Sequence, residues 1–367
     1  MFASIKAEYP KNNYQIHISD NLIENLNDYL VNFNKKSVLL VVDSFFKKNY
    51  NISGIELSLI FEKYNIFFIE GGVAEKNISV AIKICDKLNE LNISRDGCVV
   101  SIGGGVVGDI CGLAASIYKR GIPLIHVPTT MTSAVDSAIG GKTGVNMHDA
   151  VNQLGTYYHP VSTFIDLRFI KSLPSRDFAA GIAESIKKSF IYDKSFYEYI
   201  LNNSNKILKR EFEYIFEVIY KSISIKLFHT ISDEKEQSIR LLLNYGHTFG
   251  QAFESIYGIN EEKLRHGEAV SLGMMCAAKL SKELFNNNNI IKQHMDILSE
   301  FQLPTKLSEC NNLSLPEIDT LVMNLNKDKK KTTKGNRFIV CEALGSAQAK
   351  YIDDKNLIRS SFNFVLS

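Results

Sequence analysis

The segment Gly97-Cys-Val-Val-Ser-Ile-Gly-Gly-Gly-Val-Val-Gly-Asp109 constrains the fold of this chain more than any other. An apolar run of strand length ends in three glycines, and an apolar helical stretch follows to about Tyr118, which makes a strand-turn-helix unit. Its surroundings repeat the scheme. Residues 37–43 and 65–70 read as buried strands, the first ending in Asp43 and the second followed by Gly71-Gly72. A helical period covers 78–91, and 123–128 reads as another strand, ending at Thr129-Thr130. Strands alternating with helices imply a parallel sheet whose ligands gather at the carboxyl ends of the strands.

A glycine triplet between a strand and a helix is a candidate phosphate cradle, because backbone N–H groups and the helix N-terminus can face a pyrophosphate there. No Gly-Lys-Ser/Thr follows, so this is not a Walker A loop. Nor is it the G-x-G-x-x-G pattern with an acid about 20 residues on. A tight turn that needs glycine torsions is the competing explanation. The other strand ends, with Asp43, Gly71-Gly72 and Thr129-Thr130, favour a nucleotide.

From Leu173-Pro174 the pattern turns helical and stays so to about Leu284, which divides the 367 residues into domains 1–173 and 174–367. Within the second part, Arg240-Leu-Leu-Leu-Asn-Tyr-Gly-His-Thr-Phe-Gly-Gln251 reads as one helix. That helix places Glu236, Arg240, Asn244, His247 and Gln251 on a single face. An ordinary amphipathic helix would turn such a stripe to water. Gly246 and Gly250, each costing about 1 kcal/mol relative to Ala inside a helix, argue that something approaches the backbone closely. A second His-Gly, His266-Gly267-Glu268, also leads into an apolar helical run, and Glu184 precedes Lys187 by one turn in another. Glu184, His247 and His266 together would leave a tetrahedral metal one open position, the pattern of a catalytic zinc. Their separation in sequence leaves ordinary core or surface histidines as the other reading. Farther on, 316–325 reads as a helix with Pro316 in its first turn, and 335–341 as a short strand.

Composition narrows the function. A net charge of +2 provides no global field for nucleic acid or membrane, although 327–331 is a local basic run. Six cysteines without a C-x-x-C pair suit reduced thiols. The opening residues lack the basic and apolar regions of a secretory leader, and no apolar run reaches about 18 residues. The expected compartment is the cytoplasm.

Several motifs together resemble 3-dehydroquinate synthase, of the sugar phosphate cyclase superfamily. They are Gly103-Gly-Gly-Val-Val-Gly-Asp109, Pro128-Thr-Thr130, Val135-Asp-Ser-Ala-Ile-Gly-Gly-Lys-Thr143, Ala183-Glu-Ser-Ile-Lys187, Asp233-Glu-Lys-Glu236 with Arg240, Leu243-Asn-Tyr-Gly-His-Thr-Phe-Gly250 and His266-Gly-Glu-Ala-Val270. They run in order along nearly the whole chain.

The resemblance implies a Rossmann-like NAD-binding domain followed by an all-α, metal-binding domain, working as a homodimer in the shikimate pathway. Zinc, with cobalt as an alternative, would be held by Glu184, His247 and His266. Asp136, Lys142, Lys187, Lys226, Glu236, Arg240, Asn244 and Gln251 would form the catalytic surround, with Arg240 and Lys142 facing a substrate carboxylate. Arg120, from a neighbouring subunit, would hold the phosphate with Asn152 and Lys329. NAD would be lined by Asp43, Gly71, Gly72, Lys76, Gly103, Gly104, Gly105, Val106, Val107, Gly108, Asp109, Thr129, Thr130, Lys142, Phe169 and Ser172. The implied partner is a small sugar phosphate, 3-deoxy-D-arabino-heptulosonate 7-phosphate. Three positions depart from the family pattern: Val73 where an acid is usual, Val151 for a lysine, and Gln251 for a second histidine. Another sugar phosphate cyclase, an NAD-dependent polyol dehydrogenase and a non-catalytic NAD-binding paralogue are the alternatives.

Overall fold

A computed structural model describes residues 2–10, 12–33, 35–49, 51–147, 150–258, 263–310, 313–327 and 336–367. The chain divides into two units, Met1–Phe178 with Arg210–Ile223, and Ala179–Lys209 with Ser224–Ser367. The helix Ser175–Tyr192 starts just past the boundary read near 173, and its first turn groups with the first unit. Arg210 explains this. Its guanidinium lies 5.0 Å from the Phe178 ring centroid and donates to the Lys171 carbonyl at 2.9 Å.

The first unit is built on seven strands: β1 Phe2–Glu8, β2 Asn13–Ser19, β3 Val38–Asp43, β4 Asn65–Ile69, β5 Cys98–Gly103, β6 Leu124–Pro128 and β7 Ser162–Asp166. Their order across the sheet is β1-β2-β7-β6-β5-β3-β4. β1 pairs antiparallel with β2, and every other neighbour pairs parallel. β5 and β6 are buried along their whole length because apolar layers cover both faces of the sheet. Leu40, Val42, Val100 and Ile102 face the layer that holds the helix Leu22–Leu30. Leu39, Val41 and Val99 face the helices Ile78–Glu90 and Gly105–Ile117 through Val80, Ile84, Val107 and Ile110.

The connections fix where a ligand can sit. After β3 the chain moves outward to β4, then crosses back to place β5 on the other side of β3. The order therefore reverses between β3 and β5, and the crevice past their carboxyl ends is the binding position in an open α/β sheet. Asp43 ends β3 and Gly103 ends β5. A further antiparallel ribbon, Lys142–Met147 with Ala150–Tyr157, follows β6.

Among the described residues, the second unit is helical apart from one ribbon, Asn336–Ala343 with Ser346–Ile352. Its core helix is His266–Phe285, buried on most sides through Val270, Leu272, Met275, Cys276 and Leu280. The segment 240–251 is not the single helix its spacing suggests. Ile239–Asn244 is a 3-10 helix, and the α-helix begins afresh as His247–Tyr257. Gly246, at φ 76°, breaks the path with a left-handed torsion that favours glycine. The helix read from Pro316 starts at Ile318. No helix among the described residues is long and apolar enough to cross a membrane, and all six cysteines are free.

Candidate active site

Three helices of the second unit bring Glu184, His247 and His266 together. A Cβ on Gly267 would overlap the Ala180 carbonyl, one on Gly273 the Gly246 carbonyl, and one on Gly250 would come within 2.8 Å of the Ala269 carbonyl oxygen. Glycine at these positions lets the helices cross backbone to backbone. The close neighbour inferred from Gly250 is thus another helix. As a result, Glu184 Oε1 lies 3.5 Å from His247 Nε2 and 3.4 Å from His266 Nε2. One ligating atom from each residue lies within 4.8 Å of the other two.

Both rings are fixed from behind. His247 Nδ1 donates to the Tyr245 carbonyl at 3.1 Å, and His266 Nδ1 pairs with Glu254 Oε1 at 2.7 Å. A proton on each Nδ1 leaves each Nε2 lone pair directed at the centre, the tautomer a metal needs. Burial works against a proton on His266, but Glu254 and Glu184 outweigh it and hold its pKa up at about 10, so a metal that binds at Nε2 has to displace a proton there. Glu184 is fully buried and ion-paired with the nearly buried Lys187. A carboxylate in such a place is costly unless cations face it. Two imidazole nitrogens and one such carboxylate oxygen therefore fit zinc. Glu254 was not picked out from the sequence. The signal was its place seven residues after His247, two turns along the same face.

Arg240 is buried, and its guanidinium donates to the Glu234 carbonyl. Asn244 donates to Glu236, and Gln251 is half-buried one turn after His247. Lys226 is buried on the helix Phe212–Ser232. Lys188, also buried, lies 3.5 Å from the Glu184 carbonyl oxygen.

In the first unit, the expected cofactor residues gather past the strand ends. The helix Gly105–Ile117 has Gly104 at its N-cap and no side chain capping it. Its first N–H groups are therefore open to an anion. None of Gly103, Gly104, Gly105 and Gly108 has a positive φ, so glycine torsions do not explain the triplet. Close neighbours do: added Cβ atoms would lie 2.7 Å from Val107 at Gly103, 3.1 Å from Thr130 at Gly104 and 2.9 Å from Ser137 at Gly105. Lys76 reaches Asp109 at 2.6 Å and ties the loop after β4 to this helix. The Thr129 N–H donates to the Gly103 carbonyl at 2.9 Å. Asp43 accepts from the Phe45 N–H, and burial together with the nearby Glu70 raises its carboxyl pKa. Gly71 packs against the Asp43 carboxylate, and Gly72 takes φ 98°.

The remaining residues vary in how they fit. Phe169 is buried in the core with its ring edge-on to Phe46, so its backbone is the part left to meet a cofactor. Ser172 caps back onto the Phe169 carbonyl. Asp136 lies in the short π-turn Ser133–Ser137, and Lys142 opens the ribbon. Asn152 sits at φ 52° beside the register shift in that ribbon. Arg120 is exposed at φ 65°. Lys329 lies outside the described residues.

The model of the 3-dehydroquinate synthase N-terminal domain matches residues 66–180, and that of the C-terminal domain matches 181–331. The chain belongs to the 3-dehydroquinate synthase family. A 3-dehydroquinate synthase of Prochlorococcus marinus (strain MIT 9515) is 36% identical over 344 residues, covering 91% of this chain and 92% of the relative. That of Pelagibacter ubique (strain HTCC1062) is 35% identical over 350 residues and covers 93% of each. Among solved structures, the 2-epi-5-epi-valiolone synthase ValA from Streptomyces hygroscopicus, with NAD+ and Zn2+ bound, matches at TM-score 0.85 and 24% identity over 96% of both chains. A 2-deoxy-scyllo-inosose synthase complexed with carbaglucose-6-phosphate, NAD+ and Co2+ matches at 0.85 and 23% over 99% of this chain and 100% of the other. At these identities the structural likeness concerns the fold, and the family supplies the class of chemistry: the chain is an enzyme of the dehydroquinate synthase kind.

Proposed function

We propose that this chain converts 3-deoxy-D-arabino-heptulosonate 7-phosphate to 3-dehydroquinate and phosphate, with NAD recycled in each turnover. The observation that carries the reading is the meeting of Glu184 Oε1 with the His247 and His266 Nε2 atoms, beside Lys187, in a chain of this family. Glu184, His247 and His266 would hold zinc, or cobalt in its place. The open helix N-terminus at Gly104 and Gly105, with Lys76, Asp109, Thr129 and Thr130, would hold NAD. Held there, the metal would supply polarisation of a substrate hydroxyl and NAD would supply a reversible hydride acceptor. The resulting carbonyl acidifies the neighbouring C–H, so phosphate leaves by elimination, and the ring then opens and recloses in an aldol addition.

The chain's own part is to bind two anions and stabilise developing charge. Lys187, nearly buried against Glu184, would bring its ammonium to a substrate oxygen that gains negative charge. Arg240 and Lys142 take the carboxylate in this reading, with Lys226 and Asp136 at ring hydroxyls. Asn152, Lys329 and a partner's Arg120 take the phosphate, which requires a homodimer. Charged partners make these hydrogen bonds roughly twice as strong as neutral ones.

The test is phosphate release from the heptulosonate phosphate, with NAD and zinc supplied or withheld after chelation. Release that needs both, without net NADH, is the expected result. NADH accumulating with a simple polyol would make the chain a dehydrogenase. Turnover only of a heptulose phosphate lacking the carboxylate would move it to another branch of the cyclases. Arg240→Ala is expected to cost about 2–5 kcal/mol in transition-state binding.

A further inference from the structure

The loop before Arg240 holds a residue in an unusual conformation. Glu236 has φ 59°, in the left-handed region that side chains other than glycine rarely adopt. Such torsions persist when the surroundings over-determine them. Here the Asp233 carboxylate does so, accepting the backbone N–H groups of Gln237 at 2.9 Å, Ser238 at 2.6 Å and Arg240 at 3.1 Å. The loop is thereby wound around Asp233, and the Glu236 carboxylate is delivered to the side chain of Asn244.

The chemistry of that contact fixes the amide. Asn244 Nδ2 faces Glu236 Oε1 on one side and the Leu241 carbonyl at 3.2 Å on the other. Both partners are acceptors only, so the amide nitrogen must face them, and the opposite orientation would set its oxygen against two oxygens. The two N–H bonds of the amide are then occupied. What Asn244 can offer a ligand is Oδ1, which accepts and cannot donate.

We propose that Glu236 is a positioning residue that locks the Asn244 amide with its nitrogen inward, so that Asn244 reads a substrate hydroxyl as an acceptor and takes no part in holding the carboxylate. Carboxylate recognition then falls to the cations, Arg240 first. The identity of the ligand rests on the dehydroquinate synthase reading; the lock itself does not.

The test is a cycle of Asn244→Asp, Glu236→Gln and the double variant. Asn244→Asp sets two carboxylates face to face. In the double variant, the amide introduced at position 236 can donate to the carboxylate introduced at position 244, whose second oxygen stays outward as an acceptor. The first readout is thermal stability of the metal-loaded protein, which needs no substrate. The Asn244→Asp variant loses stability, and adding Glu236→Gln restores a large part of the loss. The second readout is phosphate release from the heptulosonate phosphate. kcat/KM falls about 100-fold in Asn244→Asp and recovers at least about tenfold in the double variant, with zinc content and NAD affinity unchanged. Equal stability of Asn244→Asp with and without Glu236→Gln would overturn the lock. Stability that is restored while kcat/KM is not would overturn the acceptor role. A wild-type chain that releases no phosphate, with the stability coupling present, would refute the dehydroquinate synthase reading and leave the lock standing.

Discussion

The two histidines of the candidate metal centre are held by different chemistry. His247 leans on a neutral backbone carbonyl, and His266 on the Glu254 carboxylate. A carboxylate behind an imidazole fixes the tautomer and raises the basicity of the nitrogen that meets the metal. Loss of such a partner typically lowers metal affinity by about 10–100-fold. Glu254→Ala is therefore expected to keep its fold and bind zinc that much more weakly, read by competition with a chelator of known affinity. Glu254→Gln can still accept from Nδ1 but brings no charge, so it should fall between wild type and Glu254→Ala. Zinc affinity equal to wild type in Glu254→Ala would mean that packing alone orients His266.

Elements decide whether these residues meet at all. Gly246, Gly250, Gly267 and Gly273 remove the side chains that would keep the helices Ser175–Tyr192, His247–Tyr257 and His266–Phe285 apart. Gly273→Ala places a methyl group against the Gly246 carbonyl and the Gly250 N–H. Neither can yield without shifting His247. The expected result is a drop of several kcal/mol in stability, of the kind seen on overpacking, together with loss of stoichiometric zinc. Zinc content measured on the soluble fraction separates the two effects. A Gly273→Ala protein with full zinc and an unchanged melting temperature would show that the crossing is looser than described. The same segment shows what sequence can carry. The residue types of 240–251 and their spacing pointed to one functional stretch, because polar groups beside a leucine run are conspicuous. The break at Gly246 was hidden, since a 3-10 helix and an α-helix share nearly the same apolar period over so short a length. The central strands β3, β5 and β6 were legible as continuous apolar runs. β1, an alternating edge strand with one buried residue, was not. The burial of the Phe169 ring was not legible either, because motif position fixes the backbone path and not which way a side chain points.

At the scale of the whole molecule, each unit contains a histidine that folding keeps neutral. In the first, His126 is buried under the helix Gly105–Ile117 with Nδ1 2.7 Å from Ser101 Oγ, and burial pushes its pKa down to about 4. In the second, His294 stacks on Phe190 with ring centroids 3.6 Å apart, donates from Nδ1 to the Ile290 carbonyl, and accepts from the Tyr245 hydroxyl at Nε2, 2.8 Å away. Burial pushes its pKa down to about 3. The sign follows from linkage. Below about pH 6.5 the unfolded chain protonates both rings while the folded chain protonates neither, so stability falls as pH falls. The loss is about 1.4 kcal/mol per pH unit for each histidine, ending near pH 4 for His126 and near pH 3 for His294. The Tyr245 that His294 anchors also supplies the carbonyl that holds His247, so acid loosening of this core reaches the metal ligands. Urea midpoints at a series of pH values between 7 and 4 test the argument. His294→Asn and His126→Asn are each expected to be less stable than wild type at pH 7, through lost packing and hydrogen bonds. Each should nevertheless show a dependence on pH shallower by one proton, and the double variant by two. If the slopes of all four proteins coincide, the acid sensitivity belongs to other groups, and these two histidines take up their protons without unfolding.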